Sequence, residues 1–188
     1  ALRHGEEDVT SALTITDVTN SHLSGVAPSL QPGNSTGFLV FNCERRILAN
    51  ADVRRGIALA LDVHELAAKS FDKNPAAFVA ANLLPPMMGR AVGFPAMDRD
   101  AATRLLDASG AKPGRLSLLV PWPPPPYFPK PLPVAQAVKR QLAHVGIAVE
   151  LRETKTGDEF FSDLVRGNYD IALAGWIADT PDPADFFK

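Results

Sequence analysis

Cysteine is almost absent from this sequence. Cys43 stands alone among 188 residues, so no disulfide can form within the chain, and cysteine usage leaves the redox compartment open. Long apolar runs are missing too: stretches such as RGIALALDV are interrupted by charge well before the ~20 residues that a bilayer crossing needs, which predicts a soluble domain. No charge of one sign dominates, with 19 Lys and Arg against 21 Asp and Glu. The basic couplets Arg45-Arg46 and Arg54-Arg55 are not interleaved with aromatics, which argues against nucleic acid as a direct ligand. The four histidines, His4, His22, His64 and His144, lack the short-spaced His, Cys or carboxylate partners of a zinc site. No glycine-rich turn between a strand and a helix offers a phosphate cradle. Cys43, with no activating motif, reads as a small buried thiol at a strand end. Neither an active site nor a cofactor or metal is predicted.

What is present is enough apolar residue, 46%, for a substantial core, and no repeat or internal linker divides it. We therefore expect one domain over residues 1–188. ALRHGEEDVTSAL begins without an initiator Met and in mid-element, so both ends read as cut from a longer protein, and a missing leader says nothing about export. Period-2 and period-3.6 segments alternate, the pattern of an α/β or α+β layer architecture. Strands are predicted at 37–42, 115–120, 147–153 and 169–175; in the last, Tyr169, Ile171 and Leu173 share one face, and Ala172 and Ala174 the other, where a helix could pack close. Helix starts are marked by Asp62 with Glu65 and by Thr156 with Glu159, both at capping-box spacing, and by Asp98. Ala101, Leu105 and Ala108 form one helical stripe; Val134, Val138, Leu142 and Val145 form another, closed by Gly146.

Two stretches stand apart. PWPPPPYFPKPLP, 121–133, is too rich in proline for a central strand. It reads either as a polyproline ligand or as a stiff connection presenting Trp122, Tyr127 and Phe128, and its place between a strand and a helix favours the second. GWIADTPDP, 175–183, follows the apolar run YDIALA. There Trp176 offers a planar apolar surface and Asp179 a carboxylate for an ammonium or amide donors, on a loop that prolines pre-order. The alternative is a core Trp and a helix cap: Asp182 before Pro183 fits a cap, whereas Asp179 fits either role.

Taken in order, LRHGEEDV, GFLVFN, NADVRRGIALALDVHELAAKSF, AANLLPPMMG, DRDAATRLLDASGA, PYFPKPLPVAQAVKRQLAHVGIAVEL and GNYDIALAGWIADTPDPADFF resemble the extracellular solute-binding proteins, family 5, of bacterial ABC importers, nearly end to end. The resemblance implies an α/β fold of periplasmic binding protein-like type II: one lobe, the second and inserted one, with a mixed sheet flanked by helices and the larger lobe missing. It also implies a ligand trapped between two hinged lobes, so that this chain supplies one wall. GWIAD lines up with the family's Trp-x-x-Asp loop, which puts Asp179 at the α-amino group of a bound peptide, with Trp176 beside it. VRRGIALALD matches a family helix whose role is structural, with Val53, Ile57, Ala60 and Leu61 packing. PPYFP resembles the dipeptide-type Arg-Pro-Tyr-x-Pro segment, bringing Tyr127 to the ligand, but the arginine that pairs with a ligand carboxylate is here Pro125. That change forgoes a charge-assisted contact of ~1.5–3 kcal/mol and argues against free dipeptides unless the other lobe supplies a cation. Gly89 and Arg90 stand where relatives often carry an aromatic, implying a smaller wall there.

The resemblance implies a non-enzymatic receptor for peptides or a similar small solute, with ABC transporter permease subunits as partners. It would lie in the periplasm or at the extracellular face of the inner membrane without spanning it. A competing expectation is the ligand-sensing lobe of a transcription regulator, which residues before Ala1 would distinguish by a helix-turn-helix in place of a signal sequence. A hydrolase finds no nucleophile or metal constellation.

Overall fold

The computed structural model describes residues 6–8, 27, 33–72, 77, 79–80, 82–85, 88, 93, 95–110, 114–180 and 182–187. The chain divides into two compact units, Ala1–Pro32 and Gly33–Lys188. His4, His22, Gly89 and Arg90 lie outside the described residues.

In the second unit, β1 (Ser35–Phe41) is followed by the short α1 (Arg46–Ala49), α2 (Ala51–Leu59), α3 (Val63–Phe71) and α4 (Arg99–Ala108). Then come β2 (Arg115–Val120), α5 (Pro131–Ala143), β3 (Ala148–Glu153), α6 (Gly157–Val165), β4 (Ile171–Ile177) and a 3-10 turn, Pro183–Phe187. The strands form one four-stranded mixed sheet in the order β1-β4-β2-β3. β2 runs parallel to β3 and to β4, and β1 closes the edge antiparallel to β4.

Side-chain alternation divides the sheet between two packing layers. One face gives Leu116, Leu118, Val149, Ile171 and Leu173 to a core shared with the helices from α1 to α5. The other gives Leu119 and Ala172, which meet Phe160 of α6 and Tyr169. Ala172 therefore does admit a helix closely. Tyr169 packs on this second side, not with Ile171 and Leu173, because β4 begins only at Ile171 and residues 168–170 are still loop.

The helix starts follow their sequence signals. Asp62 accepts from the amides of His64 and Glu65, Asp98 from Ala101, and Thr156 from Glu159. Neither Glu65 nor Glu159 completes its box: Glu65 turns to Gln141 and Arg140, and Glu159 accepts from the amide of Lys155. Val53, Ile57, Ala60 and Leu61 are buried, as their packing role requires. Val134, Val138 and Leu142 are buried too, and Gly146 closes α5 at φ +79° with the Ile147 amide donating to the Leu142 carbonyl. The α4 stripe sits one residue later than predicted, at Ala102 and Leu106. Cys43 is exposed and not a buried thiol, since the chain leaves the sheet after Phe41.

Candidate functional site

β2, β3 and β4 all end on the same edge of the sheet, because the three run parallel. The chain leaves β2 for α5 in one packing layer and leaves β3 for α6 in the other. Loops that part to opposite sides of adjacent parallel strands open a crevice outside their carboxyl ends, the usual place for a ligand in open α/β sheets. The proline-rich segment and the GWIADTPDP loop both emerge on this edge.

The proline segment is a fitted connection and not a free polyproline rod. Its first residue, Pro121, is buried; Trp122 is then caught by its backbone amide on the hydroxyl of Thr154 at 3.1 Å. Thr154 in turn donates to the Val120 carbonyl, tying the ends of β2 and β3 together. A turn from the Phe128 amide to the Pro125 carbonyl, 2.9 Å, bends the chain so that Tyr127 and Phe128 face the sheet. Their rings meet edge to face, with centroids 5.9 Å apart. Both lie over a pair of glycines that oppose each other across the β1–β4 ladder, Gly37 and Gly175. A Cβ on Gly175 would come within 2.5 Å of Tyr127 Cγ, and one on Gly37 within 3.0 Å of the Phe128 ring. The missing side chains make the floor on which this aromatic pair rests. Burial pushes the Tyr127 phenol above its ordinary pKa, so it remains a neutral donor at physiological pH.

β4 outruns β2, since Leu118 pairs with Ile171 while the strand continues to Ile177. Its protruding end is held by β1: Ser35 opposes Ile177, the Asn34 side chain donates to the Ala178 carbonyl at 2.7 Å, and the Ala178 amide donates back to the Asn34 carbonyl. One residue further, Asp179 is exposed, and among the described residues no hydrogen bond or ion pair engages its carboxylate. The loop beyond is fixed by Asp185, whose carboxylate accepts from both the amide and the hydroxyl of Thr180 at 2.9 Å. Asp182 accepts from the Ala184 amide, the capping role its sequence suggested. Asp179 therefore projects from a loop anchored on both sides, a geometry suited to a cation or to amide donors.

Trp176 is 43% exposed and Trp122 is 53% exposed, so neither is a core tryptophan. Tyr127 lies on the Gly175 face of β4, and alternation sends Trp176 to the opposite face. The strand end thus has one aromatic on each side, with Asp179 beyond its tip. Asn34, Asp185 and the Gly37–Gly175 floor were not legible as site elements; only a pairing register reveals that two distant glycines oppose one another.

Among the described residues no group of His, Cys, Asp or Glu is placed to hold a metal ion, and no helix is long and apolar enough to cross a membrane. The family model described as bacterial extracellular solute-binding proteins, family 5 Middle, matches residues 1–188. The chain belongs to this family. It is 30% identical over 169 residues to the peptide transport periplasmic protein SapA of Salmonella typhimurium, covering 85% of this chain and 29% of that protein. The dipeptide-binding protein of Escherichia coli is 26% identical over 162 residues, 83% of this chain and 29% of the relative. Among solved structures, a dipeptide-binding protein from Pseudoalteromonas sp. in complex with Met-Leu superposes with a TM-score of 0.77 at 27% identity, covering 84% of this chain and 31% of that one. HbpA2 from Haemophilus parasuis gives a TM-score of 0.83 at 20% identity over 99% of this chain and 37% of that chain, a likeness of fold alone. The chain thus spans less than a third of the length of the first two relatives. Its mixed sheet with flanking helices is the α/β lobe of the type II periplasmic binding proteins, as the motifs implied. Family 5 consists of solute-binding proteins.

Proposed function

We propose that residues 1–188 form one lobe of a peptide-binding component of an ABC importer, working in the periplasm and handing its cargo to permease subunits. The lobe supplies one wall of an interlobe cleft, and Asp179 anchors the ammonium of the ligand. The observation that carries this reading is the Asp179 carboxylate itself, exposed and without a partner among the described residues, on a loop pinned by Asn34 and Asp185 at the carboxyl edge of the sheet. A carboxylate held this way loses little conformational freedom on binding, so most of its attraction for a cation is retained. Tyr127 and Trp176 flank the strand end and offer apolar surface to the groups next to that amine. The peptide named with the Pseudoalteromonas structure and the peptide transport named for SapA support a peptide as the cargo class.

Calorimetry on the intact protein tests the anchor. Asp179→Ala is expected to weaken peptide binding by roughly 10- to 100-fold, the worth of a charge-assisted hydrogen bond, and Tyr127→Ala by less. Acetylating the peptide's amino terminus should reproduce the Asp179→Ala loss in wild type and add nothing in the variant. Equal affinities for wild type and Asp179→Ala would remove the amine anchor.

A further inference from the structure

Behind the edge strand β1 lies a cavity of about 540 Å³, within the roughly 300–1,000 Å³ usual for small-molecule sites. One full stripe of α3 forms a wall: Val63, Leu66, Ala67, Ser70 and Phe71 all line it, at the i, i+3, i+4, i+7, i+8 spacing of a single helix face. Gly37, Leu39 and Phe41 line it from β1, and Tyr127 and Phe128 from the proline segment. None of its described lining residues carries a charge.

Its lining is mostly apolar, with Ser35, Asn82 and the Tyr127 phenol among its few polar groups, and two further hydroxyls stand out by their burial. Ser70 is 1% exposed and Thr36 is 6% exposed, and the oxygen of each is buried with no hydrogen-bond partner among the described residues. Leaving a buried hydroxyl unpaired costs about 1–3 kcal/mol, and a helical serine ordinarily avoids that by bonding to the preceding turn or to solvent. Ser70 does neither, and it sits in the middle of the stripe that faces the cavity. An apolar chamber with an unsatisfied hydroxyl on its wall has the composition of a ligand site, with the oxygen reserved for one polar atom of the occupant.

We propose that this cavity is a second binding site, distinct from the Asp179 anchor although Tyr127 borders both, for a neutral apolar molecule bearing one hydroxyl or carbonyl group, such as a medium-chain alcohol or amide, whose polar atom bonds to Ser70. The absence of charge on its described walls selects against ionised amphiphiles, because an unpaired charge would lose its hydration there.

The test is displacement of the neutral fluorophore N-phenylnaphthylamine from the protein by octanol and by octanoate. Octanol is expected to displace it and octanoate to need at least roughly a tenfold higher concentration. Ala67→Leu fills the chamber from the same α3 face and should abolish saturable uptake of the fluorophore. Ser70→Ala should weaken octanol by roughly 3- to 10-fold, the worth of one hydrogen bond, while leaving thermal stability unchanged or raised. A serine with a purely structural role would instead lower stability and leave octanol untouched. Absence of saturable uptake in wild type, uptake insensitive to Ala67→Leu, or equal displacement by octanol and octanoate would each overturn the proposal. Because none of these measurements involves a peptide or Asp179, they stand or fall apart from the anchor.

Discussion

At Gly175 a single hydrogen in place of a side chain decides where Tyr127 lies. An alanine there would drive its methyl into the Tyr127 ring and to 2.6 Å from the Thr36 carbonyl, which is backbone in a paired strand and cannot retreat. Gly175→Ala is therefore expected to cost about 1–3 kcal/mol, the usual penalty for overpacking, read as a lower urea midpoint at unchanged slope. Gly114→Ala is the control: nothing lies within 4 Å of its added carbon, and its midpoint should stay put. Pro125 is the other residue whose meaning the structure sharpens. Its carbonyl makes the turn to Phe128, a bond any residue can make, and its ring is only partly buried, so arginine fits without disturbing the aromatic pair. Pro125→Arg is expected to tighten binding of free dipeptides by roughly 10- to 100-fold over their C-terminal amides, measured by calorimetry on the intact protein. No change would place the carboxylate elsewhere in the cleft. Residues of this kind are poorly legible in sequence. A strand glycine carries no hydrophobic signal, and an unactivated thiol at a strand end reads as buried, whereas the turn after Phe41 exposes Cys43.

Elements show the same division between what pattern reveals and what contact decides. The bounds of β2 and the caps at Asp62, Asp98 and Thr156 are legible in the sequence, because a short apolar run and a side-chain acceptor before a helix are local signals. The α4 stripe was off by one residue because its alanines and leucines support two overlapping registers. The deciding partner is Gly56 of α2, where an added Cβ would reach Leu106 Cγ at 2.8 Å, so Ala102 and Leu106 turn inward onto a position with no side chain to announce it. Pairing of α3 with α5 was equally hidden. Gln141, fully buried on α5, accepts from the Asp62 amide at 2.9 Å and donates to Glu65 at 2.7 Å, taking up the carboxylate that the capping box would have used. Gln141→Leu keeps the size and leaves both groups without that partner. It should lower stability by about 1–3 kcal/mol, whereas Glu65→Gln, which keeps an acceptor for Gln141 and gives up the exposed contact with Arg140, should cost less than about 1 kcal/mol. Denaturant titration of the two variants distinguishes a buried polar link from a surface ion pair.

For the whole molecule, the strands contribute to both packing layers at once, so neither the α6 side nor the larger core can open without exposing the other's residues on the same sheet. The unit Gly33–Lys188 should therefore melt in one transition with matching calorimetric and van't Hoff enthalpies, and a broad melt of it would contradict its self-sufficiency. Stability and binding separate at this scale. A ligand held at 100 times its dissociation constant stabilises the state that binds it by about 2.7 kcal/mol, and one bound far more weakly stabilises it hardly at all. If the site is shared between two walls, a peptide at that concentration for the intact protein should raise the intact protein's melting temperature and leave that of the isolated chain where it was. The comparison uses the same peptide and the same carboxylate at Asp179, so the difference reports only what the second wall adds. Equal shifts in the two would mean that Asp179, Tyr127 and Trp176 hold the ligand unaided, and that the cleft lies wholly on this lobe.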